Sequence, residues 1–213
     1  MMKFWRKWQM AGMLALALMG VGTQPAVSAE TAEGGVPLGA EVAAKEQAYA
    51  KGVTLAPMTL HGVAVSQDRS KPVPAAFANP AERLCKPFCV QPASIDGATT
   101  FTLEDFSKHA EAINSGKLLI VDMRTPDWFE KGTLPGAISL PYSDLTGPKT
   151  KAMAKLKRLE GKDVVVFCNG WWCGQSPTGI KALVELGFPG KIYYFRGGNQ
   201  DWVDAGLPLV APH

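Results

Sequence analysis

The sequence predicts an α/β domain over residues 100–213, a mostly parallel sheet flanked by helices, behind an irregular N-terminal extension over 30–99. Three observations predict it. Short β-branched or aromatic runs at 118–121, 137–140, 164–167 and 192–195 read as strands. They alternate with stretches whose apolar residues recur at helical spacing, the pattern of a largely parallel sheet. The stretch 163–188 is the clearest such unit: a buried strand, Cys168 at its end, a loop with two glycines, and a helix.

In chain order, residues 1–29 read as a secretory signal peptide. Lys3, Arg6 and Lys7 form a basic start, and the apolar run over 10–21 is too short to span a bilayer. Val27, Ser28 and Ala29 offer a cleavage site before Glu30, which predicts export with no stable membrane anchor after cleavage. The formal charge of +3 comes from 22 basic and 19 acidic residues, and 1–29 holds three basic residues and no acid. The rest is near neutral, with no basic stripe interleaved with aromatics, so nucleic acid is not an expected partner.

The extension says less. Its alanines, glutamates and lysines predict a helix over 41–51, and the proline-rich, polar 66–80 reads as loop. It is expected to wrap the later domain or to be partly disordered. Within it lies Cys85-Lys86-Pro87-Phe88-Cys89.

From Thr100 the pattern is regular. Thr102 caps a helix with Asp105 three residues on, and Phe106, His109, Ala110 and Ile113 share one side of it. The next strand ends in Asp122-Met123-Arg124. Thr125 and Pro126 open a short helix through Trp128 and Phe129, a turn follows over 132–136, and Pro141 stops the strand at 137–140. A helix is expected over 149–159, with Met153, Leu156 and Leu159 apolar. After the cysteine loop, Ser176 is expected to cap a helix with Pro177 in its first position. Ile180, Leu183 and Val184 line its apolar side, and Gly187 and Pro189 end it. A strand at 192–195 leads into Arg196-Gly197-Gly198 and a last helix over 200–205. Trp128 and Trp202 read as core.

A cysteine between a strand end and a helix start sits under free backbone N–H groups. The helix N-terminus favours thiolate over thiol there. Cys168, Arg124 and Arg196 all follow strands, so a parallel sheet places them on the edge where such folds bind ligands.

Several separated segments over 100–210 now point to a family. Asp122-x-Arg124 closes one strand. Lys131-Gly132-Thr133-Leu134-Pro135-Gly136-Ala137-Ile138 is similar to the rhodanese G-H-I-P-G-A signature, with Thr133 where histidine is usual. Cys168 ends the central strand, and Arg196-Gly197-Gly198 with Trp202 and Ala205-Gly206-Leu207-Pro208 resembles the closing segment. The chain resembles the rhodanese-like family, in its exported bacterial form. That resemblance implies a sulfurtransferase carrying a persulfide on Cys168, a periplasmic location, no cofactor, and a small sulfur donor or protein thiol as partner, with a periplasmic protein partner also possible. The loop departs from the common C-x-x-G-x-R-S pattern. Seven residues separate Cys168 from Ser176, and no arginine lies between them. This counts against thiosulfate as substrate. It also counts against the phosphatase relatives, whose loop arginine clamps phosphate.

The site expected from these readings has Cys168 as nucleophile and Cys173 as a second catalytic thiol. Asn169, Gly170, Trp171, Trp172, Gly174, Gln175 and Ser176 line it. Arg196 steers an anionic donor. Arg124 is read first as an internal ion-pair residue, with Asp122 or another acid, and second as a donor ligand. Two other functions stay open: thiol–disulfide exchange through Cys168 and Cys173, and a non-catalytic interaction module, which predicts an oxidised or buried Cys168 and an exposed tryptophan surface. Cys85, Cys89, Cys168 and Cys173 are all disulfide candidates, with three full pairings possible. No metal is expected. His61, His109 and His213 fall in no ligand motif with a cysteine pair, and oxidation competes with a four-thiolate site.

Overall fold

The computed structural model describes residues 35–212; the expected signal peptide lies outside them. Residues 35–99 fold against the domain that follows. They form β1 (Val36–Pro37), α1 (Ala40–Gly52), β2 (Met58–Leu60), β3 (Val63–Val65), α2 (Ala75–Ala78) and β4 (Leu84–Cys85). β4 returns to pair antiparallel with β1, and β2 and β3 make a hairpin. The hairpin turn, His61-Gly62, has both residues at positive φ, 48° and 80°. That twist matches the twist of paired strands. The helix expected over 41–51 is α1. The loop expected over 66–80 contains α2, which forms because Phe77 has a core to enter. Extension and domain share that interior: Ala50, Leu60 and Val65 pack with Phe106 and Ile113.

The domain continues with β5 (Thr99–Thr100), α3 (Leu103–Lys108), α4 (Ala110–Asn114), β6 (Leu118–Asp122), α5 (Pro126–Glu130) and β7 (Ile138–Ser139). Then come α6 (Tyr142–Thr146), α7 (Lys149–Leu156), β8 (Asp163–Phe167), α8 (Gln175–Glu185), β9 (Ile192–Tyr194) and α9 (Gly198–Asp204). β5 to β9 form one parallel sheet in the order β5-β9-β8-β6-β7. In central β8, Val164 and Val166 pack with Ile180 and Leu183 on one face. Val165 and Phe167 pack with Phe106 and Trp202 on the other. Alternating side chains are thus apolar on both faces, as a strand covered on both sides requires. Thr102 and Asp105 form the expected capping box at α3.

Several boundaries differ from expectation. The helix expected over 149–159 is α7 followed by a 3₁₀ turn, Lys157–Leu159. α8 starts at Gln175, with Gly174 in the cap position, because the Ser176 hydroxyl bonds to the Cys168 sulfur instead of capping. Pro177 is still tolerated, since N–H groups of a first helical turn have no intrahelical acceptor. α9 starts at Gly198, ahead of the expected 200. Trp202 is core, whereas Trp128 is only half-buried.

β6 ends in an ion pair with no solvent contact. Arg124 Nη2 donates to Asp122 Oδ2 at 2.7 Å, and Nε donates to Oδ1 at 2.9 Å. The Thr133 hydroxyl donates to Asp122 Oδ2 at 2.7 Å, which is the work of the residue standing where the family signature has histidine. Removing one partner of such a pair strands the other charge in the interior. Asp122→Ala is therefore expected to lower stability by about 3–5 kcal/mol, read from urea unfolding followed by tryptophan fluorescence.

Candidate functional site

Cys168 leaves the end of β8 directly beneath the start of α9. Asn199 N–H donates to Cys168 O at 3.1 Å, and Gln200 N–H donates to Asn169 O at 2.8 Å. The first free N–H groups of α9 thus hold the loop's entry. This approach needs glycine. Gly198 has φ 52°, and a Cβ there would lie 2.1 Å from Cys168 O. Gly170 has φ 154°, and a Cβ there would lie 2.6 Å from Gln200 Cβ.

The Cys168 sulfur is buried. As a thiol it donates to Cys173 O at 3.1 Å, and it accepts the Ser176 hydroxyl at 3.0 Å. Burial alone pushes its pKa up. Hydrogen bonds from the Cys173 and Ser176 side chains, and from the Ser176 and Gly170 backbone, outweigh burial and bring it down to about 7. Cys173 moves the opposite way: its hydrogen bond to Cys168 and then its own burial push it well up. Cys168 is therefore the more acidic thiol of the pair, and Cys173 the one that keeps its proton.

The remaining expected residues divide into those beside the sulfur and those that brace the loop. Asn169 turns away and accepts from Arg124 Nη1 at 3.1 Å. Gln175 Oε1 lies 3.8 Å from Cys173 Sγ, and Gly174 opens α8. Trp171 and Trp172 are 1% and 0% exposed, so the expected exposed tryptophan surface is absent. Both side chains belong under the loop, with Trp172 Nε1 donating to Gln200 Oε1 at 3.2 Å. Arg124 is not a donor ligand. Its guanidinium is committed to Asp122, Asn169 and Gly132 O, and none of it reaches solvent. Arg196 is also engaged rather than open to a donor. It pairs with Glu46 at 2.6 Å and donates to Gln91 O through Nε and Nη2 at 3.0 and 2.8 Å. Of the cysteine pairings, the structure joins Cys85 to Cys89 and leaves Cys168 and Cys173 as thiols.

Several residues at the site carried no signal in the sequence. The extension covers the loop. Gln91 N–H donates to Trp171 O at 2.7 Å, and Phe88 meets Trp172 edge-on with ring centroids 5.3 Å apart. The Arg83 guanidinium lies 3.6 Å from the centroid of Trp172. Tyr194 sits on β9, where it read only as strand. Burial first, and then the Cys168 charge, push its hydroxyl pKa up. Asp201 is raised to about 7 by burial and then by the Asp204 carboxylate. Among the described residues, Arg83 Nε, Trp171 Nε1, Tyr194 Oη, Asn199 Oδ1 and Asp201 Oδ1 are buried without a hydrogen-bond partner. All five residues belong to the loop or to segments placed around it. No group of three His, Cys, Asp or Glu suited to a metal occurs among the described residues.

Comparison with known proteins agrees with this geometry. Residues 105–205 match the rhodanese-like domain. A protein named sulfurtransferase from Allochromatium vinosum is 32% identical over 95 residues, covering 45% of this chain and 80% of that one. An uncharacterised protein of Escherichia coli, YibN, is 31% identical over 98 residues, 46% of this chain and 64% of its own. An HTH-type transcriptional regulator of Mycobacterium tuberculosis is 28% identical over 110 residues, 50% of this chain and only 45% of the regulator. Among solved structures, a thiosulfate sulfurtransferase from Pseudomonas aeruginosa aligns with a TM-score of 0.44 at 25% identity, over 55% of this chain and 21% of that one. With a cysteine at the end of the central parallel strand, a domain match over 105–205 and a relative 32% identical that is covered over 80% of its length, the chain belongs to the rhodanese-like family.

Proposed function

We propose that this protein is a sulfurtransferase that carries sulfur as a persulfide on Cys168. The observation that carries the reading is the place of Cys168 at the end of central β8, where its sulfur accepts the Ser176 hydroxyl at 3.0 Å and its pKa is lowered to about 7. The thiolate attacks the outer sulfur of a persulfide donor. The S–S bond to the carrier breaks, and the carrier leaves with the electron pair as a thiolate. An acceptor thiolate then attacks the outer sulfur of Cys168–S–SH, and Cys168 departs as thiolate. The Gly170 and Ser176 N–H groups, which bond the Cys168 sulfur, hold its negative charge. Cys173 N–H takes no part, being bonded to Gly170 O at 2.9 Å. Both arginines at the strand ends are committed to carboxylates, which supports a small or protein-borne persulfide over thiosulfate as donor.

The reading includes export to the periplasm with cleavage after Ala29, supported by the basic start, apolar run and small-residue site over 1–29. A disulfide at Cys85–Cys89 fits an oxidising compartment. Among the described residues, no helix is long and apolar enough to cross a membrane. One observation favours a second reading, thiol–disulfide exchange: Cys173 is a second free thiol beside Cys168, whose Sγ donates to Cys173 O at 3.1 Å. For the interaction-module reading the two expectations part: Cys168 is buried, as that reading requires, but Trp171 and Trp172 are buried too and offer no exposed tryptophan surface.

Intact mass separates the sulfurtransferase and thiol–disulfide readings. After mild reduction and exposure to a low-molecular-weight persulfide, wild type and Cys173→Ser are expected to gain about 32 Da, and Cys168→Ser nothing. No gain in any form sinks the persulfide mechanism. A loss of two hydrogens that requires both Cys168 and Cys173 supports disulfide exchange instead. The pH profile offers an independent check. Thiolate is the reactive form, so alkylation of Cys168 should rise with pH, with a midpoint near the value of about 7 to which its hydrogen bonds bring it. Ser176→Ala removes one of those donors and is expected to move the midpoint upward by about one pH unit.

A further inference from the structure

The extension puts a lid on Cys168, and the lid contains the protein's disulfide. Four contacts fasten it to the loop. Gln91 N–H bonds Trp171 O, and Arg196 bonds Gln91 O while pairing with Glu46 of α1. Phe88 packs edge-on against Trp172. Arg83 lies over Trp172, with Phe88 and Trp128 also within 6 Å of its guanidinium carbon at 5.3 and 5.9 Å. A guanidinium hydrogen bond to Ala76 O ties this arginine back to α2. Cys168, Trp171, Trp172 and Cys173 form one buried cluster with Ala43 and Phe77 of the extension. Cys168 is 1% exposed, so no donor reaches its sulfur while it stays covered.

Accessibility is reversed at the lid's own cysteines. Cys85 and Cys89 are only half-buried, and Lys86 and Pro87 between them are exposed. Leu84 and Val90, on either side, are 42% and 44% exposed. The disulfide joins the two ends of the segment that carries Phe88, and Cys85 is in turn paired with Val36 of β1. A covalent link across three intervening residues holds Phe88 in its turn. Without the link, the segment 85–89 gains conformational freedom and the Phe88–Trp172 contact must be held by packing alone.

We propose that Cys85–Cys89 is a redox-active site whose reduction unseals Cys168. The substrate class is a dithiol reductant. Two electrons and two protons pass to the Cys85–Cys89 bond, which opens to two thiols, and the dithiol leaves as its own disulfide. The oxidised protein is the closed state and the reduced protein the open one, in which the unpartnered Trp171 Nε1 and Tyr194 Oη become available to a ligand. The proposal rests on Cys168 being the working thiol. Its test reads access rather than sulfur transfer, so the two fail separately.

The test is the native alkylation rate of Cys168 by N-ethylmaleimide, followed by peptide mass mapping on the Cys173→Ser background. The oxidised 85–89 form is compared with the form reduced by a water-soluble phosphine, which is removed before alkylation. It is also compared with Cys85→Ser/Cys89→Ser. Reduction and the double variant are each expected to raise the rate about tenfold or more, because reactivity scales with the population of the open state. Arg83→Ala, which loosens the lid without touching the disulfide, should raise it as well. Circular dichroism and the melting temperature establish that each form is folded; if the double variant is not, the phosphine-reduced wild type decides. Equal rates in the oxidised and reduced forms overturn the proposal and leave Cys85–Cys89 as a structural staple. Fast alkylation of the reduced form without sulfur uptake would uphold the lid and count against the sulfurtransferase reading.

Discussion

A guanidinium buried away from water must find all its hydrogen-bond partners inside the protein, and Arg124 does so in a way that fixes three segments at once. Its partners are the Asp122 carboxylate on its own strand, Gly132 O in the following turn, and Asn169 in the cysteine loop. Thr133 completes the carboxylate's shell, and Asn199 Nδ2 reaches the same Gly132 O at 3.3 Å. Each partner would be stranded without the others, so β6, the 132–133 turn, the cysteine loop and the start of α9 have one mutual arrangement. The position of Cys168 follows from it.

Above that base the loop is arranged to acidify one sulfur. Two cysteines at nearly the same depth are driven apart in pKa because one hydrogen bond favours ionisation of its acceptor and disfavours that of its donor. In place of the loop arginine common in the family, hydroxyl, thiol and backbone N–H donors surround the Cys168 sulfur. The extension adds a cover over that loop. Its cation, Arg83, is placed on the aromatic face of Trp172 rather than at the sulfur, and acts as a fastening.

Much of the sheet was legible because its signals are local. Central strands buried on both faces are apolar throughout, so 118–121 and 164–167 could be read directly, and the Thr102–Asp105 capping box announced α3. Cys168 was legible from its place between a strand and a helix. The errors arose where a side chain chose a distant partner over a local one. Ser176 looked like a cap, but its hydroxyl went to Cys168. Arg196 looked open to a donor, but Glu46 and Gln91, from the extension, take its guanidinium. Tyr194 and Asp201 read as ordinary strand and helix residues, since nothing local marks a buried hydroxyl or carboxyl.

The sequence by itself determined the α/β domain and the strand–cysteine–helix unit, because periodicity, capping and glycine placement act over a few residues; the family resemblance came from separated motifs such as 131–138 and 196–208. Only the tertiary structure decided that Cys168 is sealed, that Trp171 and Trp172 lie inside, and that Arg124 and Arg196 are structural clamps. Each of those outcomes depends on contacts between segments far apart in the chain, Gln91 with Trp171 or Glu46 with Arg196 among them. Which polar group a side chain meets there is set by packing of the whole extension onto the sheet, and no spacing along the sequence encodes it.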